Sequence, residues 1–82
     1  MIKAIFKHPQ SGDLDDKNTI KVAGLKVDEA YEVEEIDMRS WHTDIFLKGY
    51  RGSFNSVAFE FEEDGKPLDI YSDPRFNPFL DE

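Results

Sequence analysis

Over the first seven residues Ile2, Ala4 and Phe6 share one parity and Lys3, Ile5 and Lys7 the other, the imperfect alternation of a strand that buries one face. His8-Pro9 ends it, because proline has no N–H to give a ladder. Residues 8–18 read as a polar loop with Leu14 its aliphatic residue, and a helical turn starting at Ser11 or Asp13 is the regular feature it suggests. Thr19 to Val22 reads as a short strand with Ile20 and Val22 on one face, closed by Gly24. Leu25 and Val27 alternate, Asp28-Glu29 turns the chain, and Tyr31 and Val33 alternate again.

The parity then slips, since the next apolar residues are Ile36 and Met38. One extra residue near Glu34-Glu35 explains the slip as a β-bulge, which bends and twists a strand. After a connection at Arg39 to His42, Thr43 to Lys48 is the next strand, with Ile45 and Leu47 on one face and Phe46 on the other. Gly49 to Ser53 is a turn. Val57, Phe59 and Phe61 then alternate with Ser56, Ala58, Glu60 and Glu62, the longest clean alternation in the chain. Asp64-Gly65 is a hairpin dipeptide, and Leu68 and Ile70 mark a last short strand. Residues 72–82 form an irregular C-terminal tail whose Phe76, Phe79 and Leu80 pack it onto the body.

Five to six short strands joined by tight turns define a mainly β fold with little helix: a small antiparallel meander or an SH3-like, partly open barrel, its core between Tyr31 and Phe61. An 82-residue chain has room for one core, so residues 1–82 read as a single domain. Seven Phe, three Tyr and one Trp supplement that thin core, and homodimerisation is a second way to do so. There is no cysteine, which removes disulfides, thiolate zinc sites and thiol catalysis. With no apolar run of bilayer length and no charged start followed by a long apolar stretch, a cytoplasmic location is expected.

Candidate chemistry is sparse. No glycine-rich phosphate loop precedes a helix. Asp13-Leu14-Asp15-Asp16-Lys17-Asn18 opens like a calcium loop, but its sixth position is Asn18 and its twelfth Gly24, where glycine and a bidentate glutamate are required. His8 and His42 lack a third ligand. The reading is therefore a noncatalytic protein with no metal and no cofactor.

Charge changes the picture most. Eighteen acidic against ten basic side chains give a net charge of −8, which argues against direct binding to nucleic acid or anionic membrane. Glu32 and Glu34 are expected to point away from Tyr31 and Val33, and Glu60 and Glu62 away from Phe59 and Phe61, as acidic outer rows. Carboxylates about 6.8 Å apart along each row stand near twice the ~3.4 Å axial phosphate spacing of one DNA strand, so the rows suit either DNA mimicry or simple solvation. The second candidate surface is the pair of connections carrying Trp41, His42, Tyr50 and Arg51, residue types favoured at binding hot spots. Trp41 serves equally well as a core plug; Tyr50 has the same alternative, but the glycines flanking Tyr50-Arg51 favour its exposure.

Gly24-Leu25, Tyr31 to Glu34, Thr43 to Gly49 and Ser53 to Phe61, which holds the run Phe54-Asn55-Ser56-Val57-Ala58-Phe59-Glu60-Phe61, together carry a resemblance. Over about half the chain the sequence resembles a group of short acidic proteins of Gram-positive bacteria and their prophages marked by an FNSVxFEF run. The resemblance brings no activity with it. It implies a bacterial or phage origin and an accessory protein acting on a host component. The leading reading is thus an acidic protein-binding module, with a DNA-mimic inhibitor of a protein with a basic groove as its sharper form. The alternative is a small-ligand-binding or sequestering homo-oligomer, with Arg51 or Arg75 meeting an anionic group.

Overall fold

Strand β1 (Ile2–Phe6) forms as its alternation dictates and buries Ala4 and Phe6. The computed structural model describes residues 1–40 and 42–80. Among these, five further strands follow: β2 (Ala30–Met38), β3 (Thr43–Leu47), β4 (Phe54–Asn55), β5 (Phe59–Glu63) and β6 (Lys66–Leu68). All pairings are antiparallel, and the six strands make one open sheet in the order β4-β3-β2-β1-β5-β6. The fold is mainly β. The first four strands follow one another as a meander, and β5 then departs from that order by pairing with β1.

The order forces curvature. In a flat sheet β4 and β5 would stand four strand spacings apart, about 19 Å. They are joined only by a 3-10 turn at Ser56–Ala58, and the four steps from Asn55 to Phe59 span at most about 14 Å even when extended. The sheet therefore curls until its β4 edge approaches β5. The turn is tied to the end of β1, since the Ala58 carbonyl accepts from the Lys7 and His8 N–H groups at 3.1 and 3.0 Å. The bulge expected near Glu34-Glu35 contributes to the curl: the β2–β3 register runs Val33 to Leu47 and then Glu35 to Phe46, shifting by one residue. Asp64 and Gly65, both with positive φ, close the β5–β6 hairpin as its sequence requires.

Four expectations are corrected. Residues 8–18 are not loop throughout, and Thr19 to Val22 is not a strand, because an α-helix, α1, spans Leu14–Ala23. Its N-terminus is a reciprocal capping box between Asp13 and Asp16, and Gly24, in the left-handed region at φ 77°, ends it. Only Ile20 of this helix is buried, while Leu14 and Val22 are exposed, so it shows little of the apolar periodicity that announces helices. The alternation read from Ser56 to Glu62 also breaks. In the 3-10 turn Ser56 and Ala58 face the interior and Val57 faces solvent, and the strand parity resumes only at Phe59. Ile70 is fully buried, but in a second 3-10 turn (Ile70–Ser72) rather than in β6.

The core is also wider than the Tyr31 to Phe61 segment. Ala4, Phe6, Ile20, Leu25 and Ile70 join Ile45, Leu47, Phe54, Ala58, Phe59 and Phe61 in it, whereas β2 contributes only half-buried side chains. An edge-to-face aromatic chain links Tyr31 to Tyr50, Phe54 and Phe59, with ring centroids 5.7, 6.3 and 6.4 Å apart, and Phe6 extends it. Phe76 brings the C-terminal tail onto the core, and Arg75 fixes it by pairing with Glu63 of β5 at 2.7 Å and with Asp73 at 2.7 Å.

Candidate functional site

His42 sits where the β2–β3 connection closes, with its carbonyl accepting from the Arg39 N–H at 2.8 Å. Its ring is half-buried, and Nε2 lies 2.6 Å from Oδ1 of Asp44, two residues on and on the same side of β3. Asp44 is paired in register with Asn55 of β4. The Asn55 amide donates to Oδ2 of Asp16 at 2.9 Å, while its Oδ1 accepts from the Val57 N–H and so caps the 3-10 turn. Burial pushes the Asp16 carboxyl up, but the hydrogen bonds from Asn55 and from Asp13, with His42 nearby, outweigh it and hold the group below the usual carboxylate range. Asn55 thereby locks α1 to the β4 edge.

These groups border a cleft of about 510 Å³ at the start of β3. Its polar side includes Arg39, His42, Asn55, Ser56 and Asn77, with the Ser56 hydroxyl 2.6 Å from the Tyr71 hydroxyl. Its apolar side is Met38, Val57, Tyr71 and Phe79. Val57, Tyr71 and Phe79 are 45%, 44% and 55% exposed. Three large apolar side chains left in water and gathered around one polar-floored cleft are the surface feature that most needs a cause. Sequence reasoning missed Val57 because it assigned this residue to the buried parity, and it read Phe79 as packing inward. The signal for the turn was present in Asn55, a capping residue type just before Ser56.

The four residues singled out for contact do not form one surface. Trp41 lies outside the described residues. Tyr50 and Arg51 follow β3, so the five residues of that strand, roughly 17 Å, separate them from His42. Tyr50 is half-buried against Tyr31 and Phe54, which makes it largely the core plug of the two readings. Arg51 is exposed. It borders a second cavity of about 550 Å³, which α1 and the β3–β4 connection line together.

Nor are the acidic rows uninterrupted. β1 runs between β2 and β5, and Lys3 is in register with Glu32 on one side and Glu62 on the other. Lys48 lies 3.5 Å from Glu32, and His8 lies 3.1 Å from Glu60. Glu34 stands at the bulge and is exposed. Lys3 and Lys48 thus break up the negative field on this face, whereas Glu34 is in no ion pair among the described residues.

Among the described residues no helix is long and apolar enough to cross a membrane, and no group of three or more His, Asp or Glu side chains is placed to hold a metal ion. The fold and its clefts define a small all-β protein, one curled antiparallel sheet braced by a single helix, with an apolar-rimmed cleft at one end. Residues 1–82 match the family described as Bacteriophage T4 protein Y07B, and the chain belongs to that family. The match agrees with the phage side of the resemblance seen in the sequence; it does not extend to Gram-positive hosts or to the FNSVxFEF run as a mark. No curated protein and no solved structure matches the chain.

Proposed function

We propose that this phage protein is a noncatalytic accessory factor that binds a host protein through the cleft at the start of β3. One observation carries the reading: Val57, Tyr71 and Phe79 remain exposed and converge on the same cleft, around hydrogen-bonding groups whose positions are already fixed. An apolar rim loses water on contact and supplies affinity, and a prearranged polar floor of His42, Asn55, Ser56 and Asn77 supplies selectivity. The excess negative charge of the chain favours a basic partner and faster encounter with it. The DNA-mimic form of the idea is weaker, because Lys3 and Lys48 interrupt the carboxylate rows it depends on.

The test is affinity capture from phage-infected cells, followed by reconstitution with the purified partner. Val57→Asp and Phe79→Ser, both at exposed positions, should leave the melting temperature unchanged and weaken the reconstituted complex at least tenfold. Glu32→Gln with Glu62→Gln should mainly slow association at low salt. If the cleft variants bind as well as the parent and the glutamate variants do not, the acidic face is the contact surface and the cleft is not.

A further inference from the structure

The second cavity, like the cleft at the start of β3, has no acidic residue in its lining, but it differs in the state of its one arginine. Its lining is Asn18, Thr19, Val22 and Ala23 of α1 together with Gly49, Tyr50, Arg51 and Phe54. In a chain with eighteen acidic side chains, none of these eight residues is acidic, and the one ionic group is the Arg51 guanidinium. The other two arginines are placed in ion pairs, Arg39 with Asp37 at 3.3 Å and Arg75 with Glu63 and Asp73. Among the described residues Arg51 has no carboxylate partner within ion-pair distance. The walls are apolar, formed by Val22, Ala23, the Tyr50 ring and Phe54, and the last two belong to the aromatic chain that runs through the core. At about 550 Å³ the cavity is within the range of small-molecule sites.

We infer that this cavity binds a small anionic ligand with a flat apolar body, the body lying against Tyr50, Phe54 and Val22 and its carboxylate, sulfonate or phosphate meeting Arg51. A guanidinium offers paired N–H donors to such oxygens, and the absence of any acid in the lining spares the ligand like-charge repulsion at close range. The Asn18 side-chain amide adds a neutral donor on the helix side. This site is separate from the cleft assigned to the protein partner. The two lie on opposite sides of β4, where Phe54 faces the cavity and Asn55 the cleft.

The probe is 1-anilinonaphthalene-8-sulfonate, an aromatic anion whose fluorescence rises when its rings leave water. Titrated into the full chain at neutral pH, it should give saturable one-site enhancement. Arg51→Gln should weaken binding about tenfold or more, the scale of a lost charge-assisted contact. Val22→Glu places a carboxylate on the rim at a side chain 80% exposed, where folding is indifferent to it, and should weaken binding as much. Phe79→Ser, at the other cleft, should leave the titration unchanged. Enhancement that survives both Arg51→Gln and Val22→Glu, or that disappears with Phe79→Ser, or that never saturates, overturns the assignment. None of these outcomes depends on whether the cleft at the start of β3 holds a protein partner.

Discussion

The contact between Asp16 and Asn55 should be worth more than its single hydrogen bond suggests, because it joins α1 to the sheet and also completes the cap of the helix. Asp16→Ala removes the acceptor of the Asn55 amide, 2.9 Å away, and the acceptor of the Asp13 N–H at 3.0 Å. A hydrogen bond to a charged group contributes roughly 1.5–3 kcal/mol, and loss of half a capping box about 0.5–1 kcal/mol. Alanine's better helix propensity returns about 0.5 kcal/mol. The net expectation is a loss of about 2 kcal/mol, or roughly 10 °C in melting temperature for a domain of this size. A double-mutant cycle with Asn55→Ala, followed by urea unfolding at pH 7, should give a coupling of about 1–2 kcal/mol. The pH dependence has a definite sign. The carboxyl of Asp16 titrates below its ordinary range in the folded protein, so its contribution is complete above that range and is lost as pH falls through the depressed folded value. The coupling should therefore shrink on acidification. A value below about 0.3 kcal/mol at pH 7, within the error of simple additivity, would show that α1 is held by the packing of Ile20 and Ala23 and not by this contact.

Other consequences follow from individual positions. Ile45→Ala opens a cavity under a fully buried side chain of β3 and should cost about 2–5 kcal/mol in urea unfolding, enough to leave much of the chain unfolded at 37 °C. Gly12→Ala should lower the melting temperature, because Gly12 has φ 92° and a Cβ there would lie 2.9 Å from Oδ2 of Asp16, the acceptor just discussed. Arg75→Gln should release residues 72–80 to limited proteolysis without melting the sheet. Hydrogen bonds from Arg75 hold both Glu63 and Asp73 below the usual carboxylate range, so parent and variant should become equally susceptible as pH falls through those depressed values.

Much of the sheet was legible because strand parity is a strong signal when one face is buried. Ala4 and Phe6, Ile45 and Leu47, and Phe59 and Phe61 all turned inward as their spacing required, and the slip at Glu34-Glu35 located the bulge from sequence alone. Helix α1 was hidden for the opposite reason. It covers one end of the curled sheet through Ile20 and its last residue, Ala23, while Leu14 and Val22 face water and cancel the periodicity. What remained readable was its punctuation: Asp13, taken only as far as a single helical turn, and Gly24, taken as the close of a short strand. The candidate cleft was harder still. It exists because Asn55 caps a 3-10 turn that flips Val57 outward, and because the tail returns Tyr71, Asn77 and Phe79 to the same place. Of these, only the capping tendency of Asn55 is local; the rest depends on a curl that brings β4 back toward β5. His42 was singled out from sequence and does line the cleft, whereas Tyr50 and Arg51 were grouped with it although β3 holds them at its far end.

The most direct measurement is site-specific photo-crosslinking in phage-infected cells, with p-benzoylphenylalanine replacing Phe79 in one protein and Glu62 in another. The Phe79 position should capture one host protein at high yield and Val57→Asp should abolish the product, while the Glu62 position should capture little. Efficient capture of a host protein from Glu62 alone, or a Phe79 product indifferent to Val57→Asp, would contradict binding through the cleft.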